Sequence, residues 1–365
     1  MIDAMFENDV IVVGAGQAGL AAAYHLVRSG LRPILVDASD QGGGSWPRYY
    51  DSLTLFSPAQ FSSLPGLSFP GDPRHYPRRD AVVDYLYSYR RHLGVDVMRE
   101  HVVDYLRPTK RGFEAVGEGL YLTAARAIVA TGSFTRPFSP KLARMELFRG
   151  RMLHSADYRS PRGFEGQRVA VVGGGNSAIQ IAHELSGTAD VTVFTRRSIS
   201  WQRQKLLGLD FHWWLINSGA DRSRWLDKVL RGAVPVVDDG GFRRAFRSGQ
   251  IRRRPMFDSF HPDGVQWQNG EWQRIDSLIF ATGYQPDTSI LDPTVAVDAS
   301  GQILHRQGVS TTVPGLGFVG LPHQRSFSSA TLRGVGADAL HVVDAIAGTG
   351  PRRRKVSVFV SNRAR

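Results

Sequence analysis

The sequence predicts an α/β fold of two parallel-sheet units, the second inserted into the first. Three observations predict it. The stretch VIVVGAGQAGLAAAYHL, residues 10–26, returns almost unchanged as VAVVGGGNSAIQIAHEL, residues 169–185. Two shorter repeats, AIVATGS (residues 127–133) and LIFATGY (residues 278–284), bracket the second copy. The chain has 365 residues, 42% of them hydrophobic, which is enough for two substantial cores.

In the first copy an apolar strand runs straight into Gly14-x-Gly16-x-x-Gly19 and then a helix. The first glycine permits the tight turn, the second lets a pyrophosphate reach the backbone, and the third lets the helix pack on the strand. The helix start, with Gln17 and Ala18, offers free N–H groups and a positive dipole end to phosphates. The next strand, PILVD, ends in Asp37 followed by Ala38, where a carboxylate can accept hydrogen bonds from ribose hydroxyls. This is the signature of a Rossmann-like dinucleotide-binding unit.

The second copy repeats the pattern as Gly173-x-Gly175-x-x-Ala178, with Asn176 and Ser177 opening its helix. Its next strand, VTVFT, is followed by Arg196 and Arg197 where the first unit has Asp37. An acid suits a free 2′-hydroxyl, whereas arginines suit a 2′-phosphate. The first site is therefore expected to take FAD and the second NADPH, with NADH a weaker alternative. Ordinary surface charge at a strand end is the other reading of the arginines. A resident flavin and a nicotinamide that reduces it account for two sites on one chain.

The Ala-Thr-Gly strand ends supply Thr131 and Gly132 in the first case and Ala281, Thr282 and Gly283 in the second, where glycine tolerates close approach to a cofactor. They suggest a discontinuous FAD domain, residues 1–150 and 280–365, around an NAD(P)H domain, residues 155–278. The loop QGGGSWPRYYDSLTLFSP follows the first unit. Its Gly44 and Ser45 are expected near the flavin phosphates or ribityl chain, with Trp46 and Leu55 walling the ring and Phe56 and Val103 further cofactor contacts. An amphipathic helix is expected over roughly residues 79–92, with Tyr85, Leu86 and Tyr89 in the core. Residues 213–241 read as helix with a turn. Near the end, a strand and polar loop precede a helix from about Ser329, whose first turn (Ser329, Ala330, Thr331) is expected to face the flavin pyrimidine. His323, Gln324 and Arg325, just before it, are polar candidates near the ring, and His323 is a candidate catalytic residue.

Composition excludes several classes. Zero Cys rules out a disulfide framework, thiolate metal sites and an internal dithiol. The net charge of +12 resides largely in FRRAFRSGQIRRRP and PRRRK, neither interleaved with aromatics as a nucleic-acid surface would be. No apolar stretch is long enough to span a membrane and the N-terminus lacks a signal pattern, so a cytoplasmic protein is expected.

Beyond these readings, FRGRMLHSADY matches a fingerprint, Phe148-x-Gly150-x-x-x-His154-x-x-x-Tyr158, placed just before the second unit. With GGGSW and FATGY it resembles the flavin-dependent monooxygenases that carry two dinucleotide domains, including flavin-containing, Baeyer–Villiger and N-hydroxylating enzymes. The resemblance covers nearly the whole chain. It implies hydride transfer from NADPH to FAD, reaction of reduced flavin with O2 to a C4a-(hydro)peroxyflavin, and oxygenation of a small nucleophile or ketone. It places His154 in the hinge, either as a catalytic group or as an orienter of the linker. It also sets Phe56 where many members carry an asparagine, and a phenylalanine cannot donate that hydrogen bond. The expected partners are a small-molecule substrate and O2, not nucleic acid or membrane, for a monomer or homodimer. A reductase passing electrons to an external acceptor is the alternative. No metal is expected.

Overall fold

The computed structural model describes residues 8–223, 235–291, 296–298 and 300–348. Two parallel sheets organise them. In the first, strands Leu316–Phe318, Leu120–Val129, Asn8–Val13, Pro33–Val36 and Val97–Met98 lie side by side in that order, all parallel. The central strand is apolar without alternation because both its faces are covered. Val10 and Val12 face the helices Gln17–Arg28, Arg79–Leu93 and Leu332–Ala347, while Ile11 and Val13 face the opposite core. That second face is closed by an antiparallel meander, Tyr105–Thr109 and Gly112–Gly117, continuing into Leu120–Val129.

Helix Arg79–Leu93 buries Val82, Tyr85, Leu86 and Tyr89 on one stripe, as its spacing predicts. Tyr85 Oη accepts from Leu64 N and donates to the Leu67 carbonyl, so the buried phenol is satisfied. The last helix begins at Leu332, three residues later than the sequence suggests, because Thr331 caps it by accepting from Gly334 N.

The second sheet is wholly parallel, in the order Ile251–Pro255, Asp190–Thr195, Arg168–Val172, Ser277–Phe280, Arg151–His154. Helix Asn176–Leu185 packs on the face of Val169 and Val171; Ala170 and Val172 face an aromatic core of Phe194, Phe257 and Phe260. The two sheets are joined by two crossing segments that pair antiparallel, Arg136–Pro137 with Tyr284–Gln285. Of the stretch expected to be helical with a turn, Phe211–Asn217 is a helix, but Val236–Asp238 is a strand pairing with Trp201–Arg203. Residues 224–234 of that stretch and the PRRRK segment lie outside the described residues. Arg252 and Arg254, on the basic strand, pair with Asp190 and Glu271.

Candidate active site

Parallel strands end in register, and that places the sequence motifs together. Val13 lies between Val36 and Val129, so Gly14, Asp37 and Ala130 meet at one carboxyl edge. Gly14 has φ +101°, and a Cβ there would stand 2.5 Å from the Ala130 carbonyl oxygen. A Cβ on Gly19 would overlap the Gly14 carbonyl oxygen. Gly44 comes over the same turn, its absent Cβ 2.8 Å from Gly16 Cα. Asp37, 8% exposed, accepts from Ala15 N at 2.6 Å through one oxygen and from Ser39 N and Oγ through the other. The carboxylate therefore ties the glycine turn to its own strand end. Gln17 bridges two loops: its amide donates to the Ala330 carbonyl (2.6 Å) and its oxygen accepts from Trp46 Nε1 (3.1 Å).

The second edge repeats this arrangement. Val172 lies between Phe194 and Phe280, so Gly173, Thr195 and Ala281 meet there. Gly173 has φ +147°, and a Cβ there would collide with the Ala281 carbonyl just as one at Gly14 would collide with Ala130. The two Ala-Thr-Gly segments thus serve one edge each. Here the surroundings are open. Nothing lies within 4 Å of a Cβ built on Gly175. Arg196 and Arg197 are exposed, and among the described residues neither makes an ion pair or hydrogen bond. Asn176 does not face outward freely; its Oδ1 accepts from Val237 N at 3.1 Å. Ser177 is exposed on the same turn.

Between the edges stands His154, 5% exposed. Ala156 N donates to its Nδ1 (3.0 Å), so Nε2 carries the proton and bonds the Gly283 carbonyl (3.0 Å). Burial holds its pKa below the ordinary histidine value, against the opposing Gly283 bond. Tyr284 meets its ring edge-on at 5.0 Å. Both nitrogens are spent on backbone, at Ala156 and at Gly283 beside a crossing segment, so of the two roles the resemblance gives His154, this geometry supports the orienting one.

A fourth group spans both units. Phe56 stacks on His212 with ring centroids 5.8 Å apart. His212, 1% exposed, bonds Asp210 Oδ1 through Nδ1 (2.8 Å), and Tyr76 Oη donates to Asp210 Oδ2 (2.5 Å). Burial lowers the His212 pKa, and although burial pushes Asp210 up, its bonds from His212 and Tyr76 outweigh that and leave it lowered. Arg333, in the first turn of the last helix, pairs with Asp221 at 2.9 Å, both side chains nearly buried.

Comparison with known proteins fits these features. A family model described as pyridine nucleotide-disulphide oxidoreductase matches residues 11–209. An uncharacterized CzcO-like oxidoreductase of Geobacillus kaustophilus (strain HTA426) is 32% identical over 343 residues, 93% of this chain and 98% of its own. The solved flavin-containing monooxygenase from Stenotrophomonas maltophilia has a TM-score of 0.82 and 32% identity, covering 94% of this chain and 99% of that one. The chain belongs to the flavin monooxygenases. Indole-3-pyruvate monooxygenase YUCCA4 of Oryza sativa subsp. japonica is 28% identical over 331 residues, 75% of this chain and 74% of its own.

This flavin monooxygenase uses FAD and NADPH. Its residues fit both groups: each edge presents a cradle in which side chains are missing where a phosphate would lie, followed by a helix start with unpaired N–H groups. Gly132 and Gly283 also face open space.

Not every sequence candidate faces this site. Val103 is 5% exposed and packs in the core with Val13 and Val36. Gln324 is turned inward: its amide nitrogen is buried and lies where a Cβ on Gly308 would stand. Arg325 bonds the Ala337 carbonyl and Asp338 of the last helix. Ser329, 2% exposed, accepts from Arg325 N and Ser326 N, so its hydroxyl organises the loop rather than pointing at a ligand. Thr331 caps the helix. His323 is half-buried in a left-handed conformation, φ +56°. Ala38 is exposed, Leu55 packs on the core and Ser45 Oγ lies 3.4 Å from Tyr49 Oη. Thr131 follows Ala130 at the first edge and Thr282 donates to the Phe138 carbonyl. Tyr76, Asp210 and His212 escape sequence reading altogether; only the Asp-x-His spacing hints at them.

Among the described residues there is no cluster able to hold a metal and no helix long and apolar enough to cross a membrane.

Proposed function

We propose that the first cradle holds FAD, the second holds NADPH, and the enzyme oxygenates a small molecule at sulfur, nitrogen or a ketone carbon, with O2 as co-substrate. The bound flavin supplies hydride acceptance from NADPH and activation of O2. The chain's own residues do the rest. Backbone N–H groups after Gly14 and Gly173 bind the two pyrophosphates. Asp37 accepts three hydrogen bonds from the protein; a carboxylate has about four acceptor sites, so room is left for a ribose hydroxyl. Arg196 and Arg197 take the 2′-phosphate. His154 fixes the hinge, and the start of the last helix, with the Ala330 carbonyl held by Gln17, places its positive end toward the flavin pyrimidine.

The observation that carries the oxygenase reading is the buried contact between the two units, which we read as a cover over the flavin. Phe56 offers an apolar face on which His212 of the second unit stacks, and Asp221 of the second unit pairs with Arg333 of the first unit's last helix. Excluding water keeps activated oxygen from being lost as hydrogen peroxide. The absence of any Cys removes the internal dithiol that a disulfide-reductase chemistry requires.

The test supplies NADPH, O2 and, in turn, an alkyl aryl sulfide, a tertiary amine and a cyclic ketone, and counts product against NADPH. Oxygenated product from at least one, at a large fraction of NADPH consumed, is expected. Electrons recovered only as hydrogen peroxide, or only in an added acceptor such as ferricyanide, would overturn the reading in favour of a reductase.

A further inference from the structure

Three consecutive arginines, Arg252, Arg253 and Arg254, lie on the edge strand of the second sheet, and they are not equivalent. Arg252 pairs with Asp190. Arg254 pairs with Glu271 and lies over the Trp267 ring, 4.1 Å from its centroid. Arg253 meets no carboxylate among the described residues. Its one hydrogen bond runs from Nε to Thr195 Oγ1, at 2.8 Å.

That bond fixes where the guanidinium sits. Arg253 is level with Val193 in the parallel register, so reaching Thr195 means leaning two residues toward the carboxyl edge. Thr195 is 5% exposed and its methyl stands 3.5 Å from a Cβ built on Gly174, in the middle of the second glycine turn. Arg196 and Arg197 follow Thr195 directly. Three arginines without a carboxylate thus gather at one strand end beside the open turn at Gly175, while Arg252 and Arg254 are neutralised. A cation held by one neutral hydroxyl, with its remaining N–H groups undirected toward any acid, is poised for an anion.

We propose that Arg253 is a specificity-determining residue for the dinucleotide: from the adjacent strand it adds a third cation to the 2′-phosphate site of Arg196 and Arg197, and Thr195 is its positioning residue. The inference rests on the assignment of that site to NADPH. A strand-end pair reads the phosphate from the side of its own loop; Arg253 reaches it across the strand gap, so the phosphate is held from two elements and the preference over NADH is sharpened. Because Arg253 bonds a hydroxyl and not an acid, it loses no ion pair when the ligand leaves.

The experiment uses the oxidised holoprotein and two probes, adenosine 2′,5′-bisphosphate and AMP, with affinities measured by titration calorimetry. Wild-type protein is expected to bind the bisphosphate far more tightly. Arg253→Gln should weaken the bisphosphate about tenfold and leave AMP unchanged, while Arg253→Lys should recover part of the loss. Arg252→Gln, which breaks a pair to Asp190, is the control and should change neither by as much as twofold. If Arg253→Gln weakens both probes alike, or weakens the bisphosphate no more than Arg252→Gln does, the inference is overturned. If Arg196→Gln with Arg197→Gln abolishes the preference and Arg253→Gln does not touch it, this inference alone falls. Equal binding of the two probes by the wild type overturns the NADPH assignment as well.

Discussion

The two glycine edges share one backbone plan and differ in everything around it. At the first, the turn is shut in: Gly44 lies over Gly16, Gly19 packs against the Gly14 carbonyl, and buried Asp37 is tied to Ala15 and Ser39. At the second, Gly175 faces open space, an alanine suffices at the third position, and Arg196 and Arg197 stand exposed. A closed cradle holds a ligand that stays, because release requires several contacts to open together. An open one, with cations reaching in from solvent, suits a ligand that arrives and leaves on each turnover. That is the difference the proposed assignment calls for, a resident flavin at the first edge and an exchanging nicotinamide at the second.

The largest effect that would break this comparison is at Gly19. Gly19→Ala puts a methyl into the Gly14 carbonyl oxygen, so the helix must move off the strand. We expect a stability loss of about 3 kcal/mol and loss of retained FAD. Gly175→Ala should keep full FAD and cost little stability, since nothing crowds its Cβ. Flavin content after gel filtration and thermal midpoints decide it; similar behaviour of the two variants would dissolve the closed-versus-open distinction.

Next comes Asp37. Asp37→Asn keeps the shape but presents an amide where three donors converge, so at least one of the Ala15 and Ser39 bonds is lost beside a buried group. A loss of about 2 kcal/mol, seen as a weaker hold on FAD, is expected in dialysis against flavin-free buffer. Undiminished FAD retention would show that the carboxylate serves only the turn.

Much of this architecture is written locally. A strand, a glycine turn and a helix are contiguous in sequence, and parallel pairing then carries Asp37, Ala130, Thr195 and Ala281 to the same edges, so the fold was readable from the repeats. Contacts between units were not. Tyr76 and Asp210 are 134 positions apart, and Arg333 and Asp221 are 112 apart. No periodicity encodes how two units dock. The same blindness explains the polar loop. Gln324, Arg325 and Ser329 look like ligand groups in sequence, yet a loop leading into a buried helix must satisfy its own backbone, and these side chains are used for that. Val103 shows the converse, an apolar residue near a site that belongs to the core.

A smaller effect sharpens the second edge. Arg196→Gln together with Arg197→His should raise the KM for NADPH at least tenfold and leave that for NADH nearly unchanged, since only the first carries the added phosphate. Steady-state kinetics with both cofactors measures the ratio. Equal shifts would mean that the arginines are ordinary surface charge.

The smallest effect concerns His154, buried beside Gly283. His154 is held neutral in the fold, its pKa below the ordinary 6.5 because burial disfavours the charged ring. Unfolded, it takes a proton near pH 6.5; folded, only at lower pH. Between those values the unfolded state binds more protons, so this contribution is complete above about pH 6.5 and is lost as pH falls toward the folded value. His212 is lowered in the same direction, so both add to one acid-side decline. Replacing His154 by Gln removes one group from that decline, so the slope of stability against pH between 6.5 and 5 should be shallower by at most about 1.4 kcal/mol per pH unit. The absolute stability falls too, since a flexible amide replaces a ring fixed by Ala156 and Gly283. The slope and not the offset is the test. Urea titrations at several pH values separate them, and an unchanged slope in His154→Gln would mean that the imidazole titrates alike in both states and that the fold does not close around it.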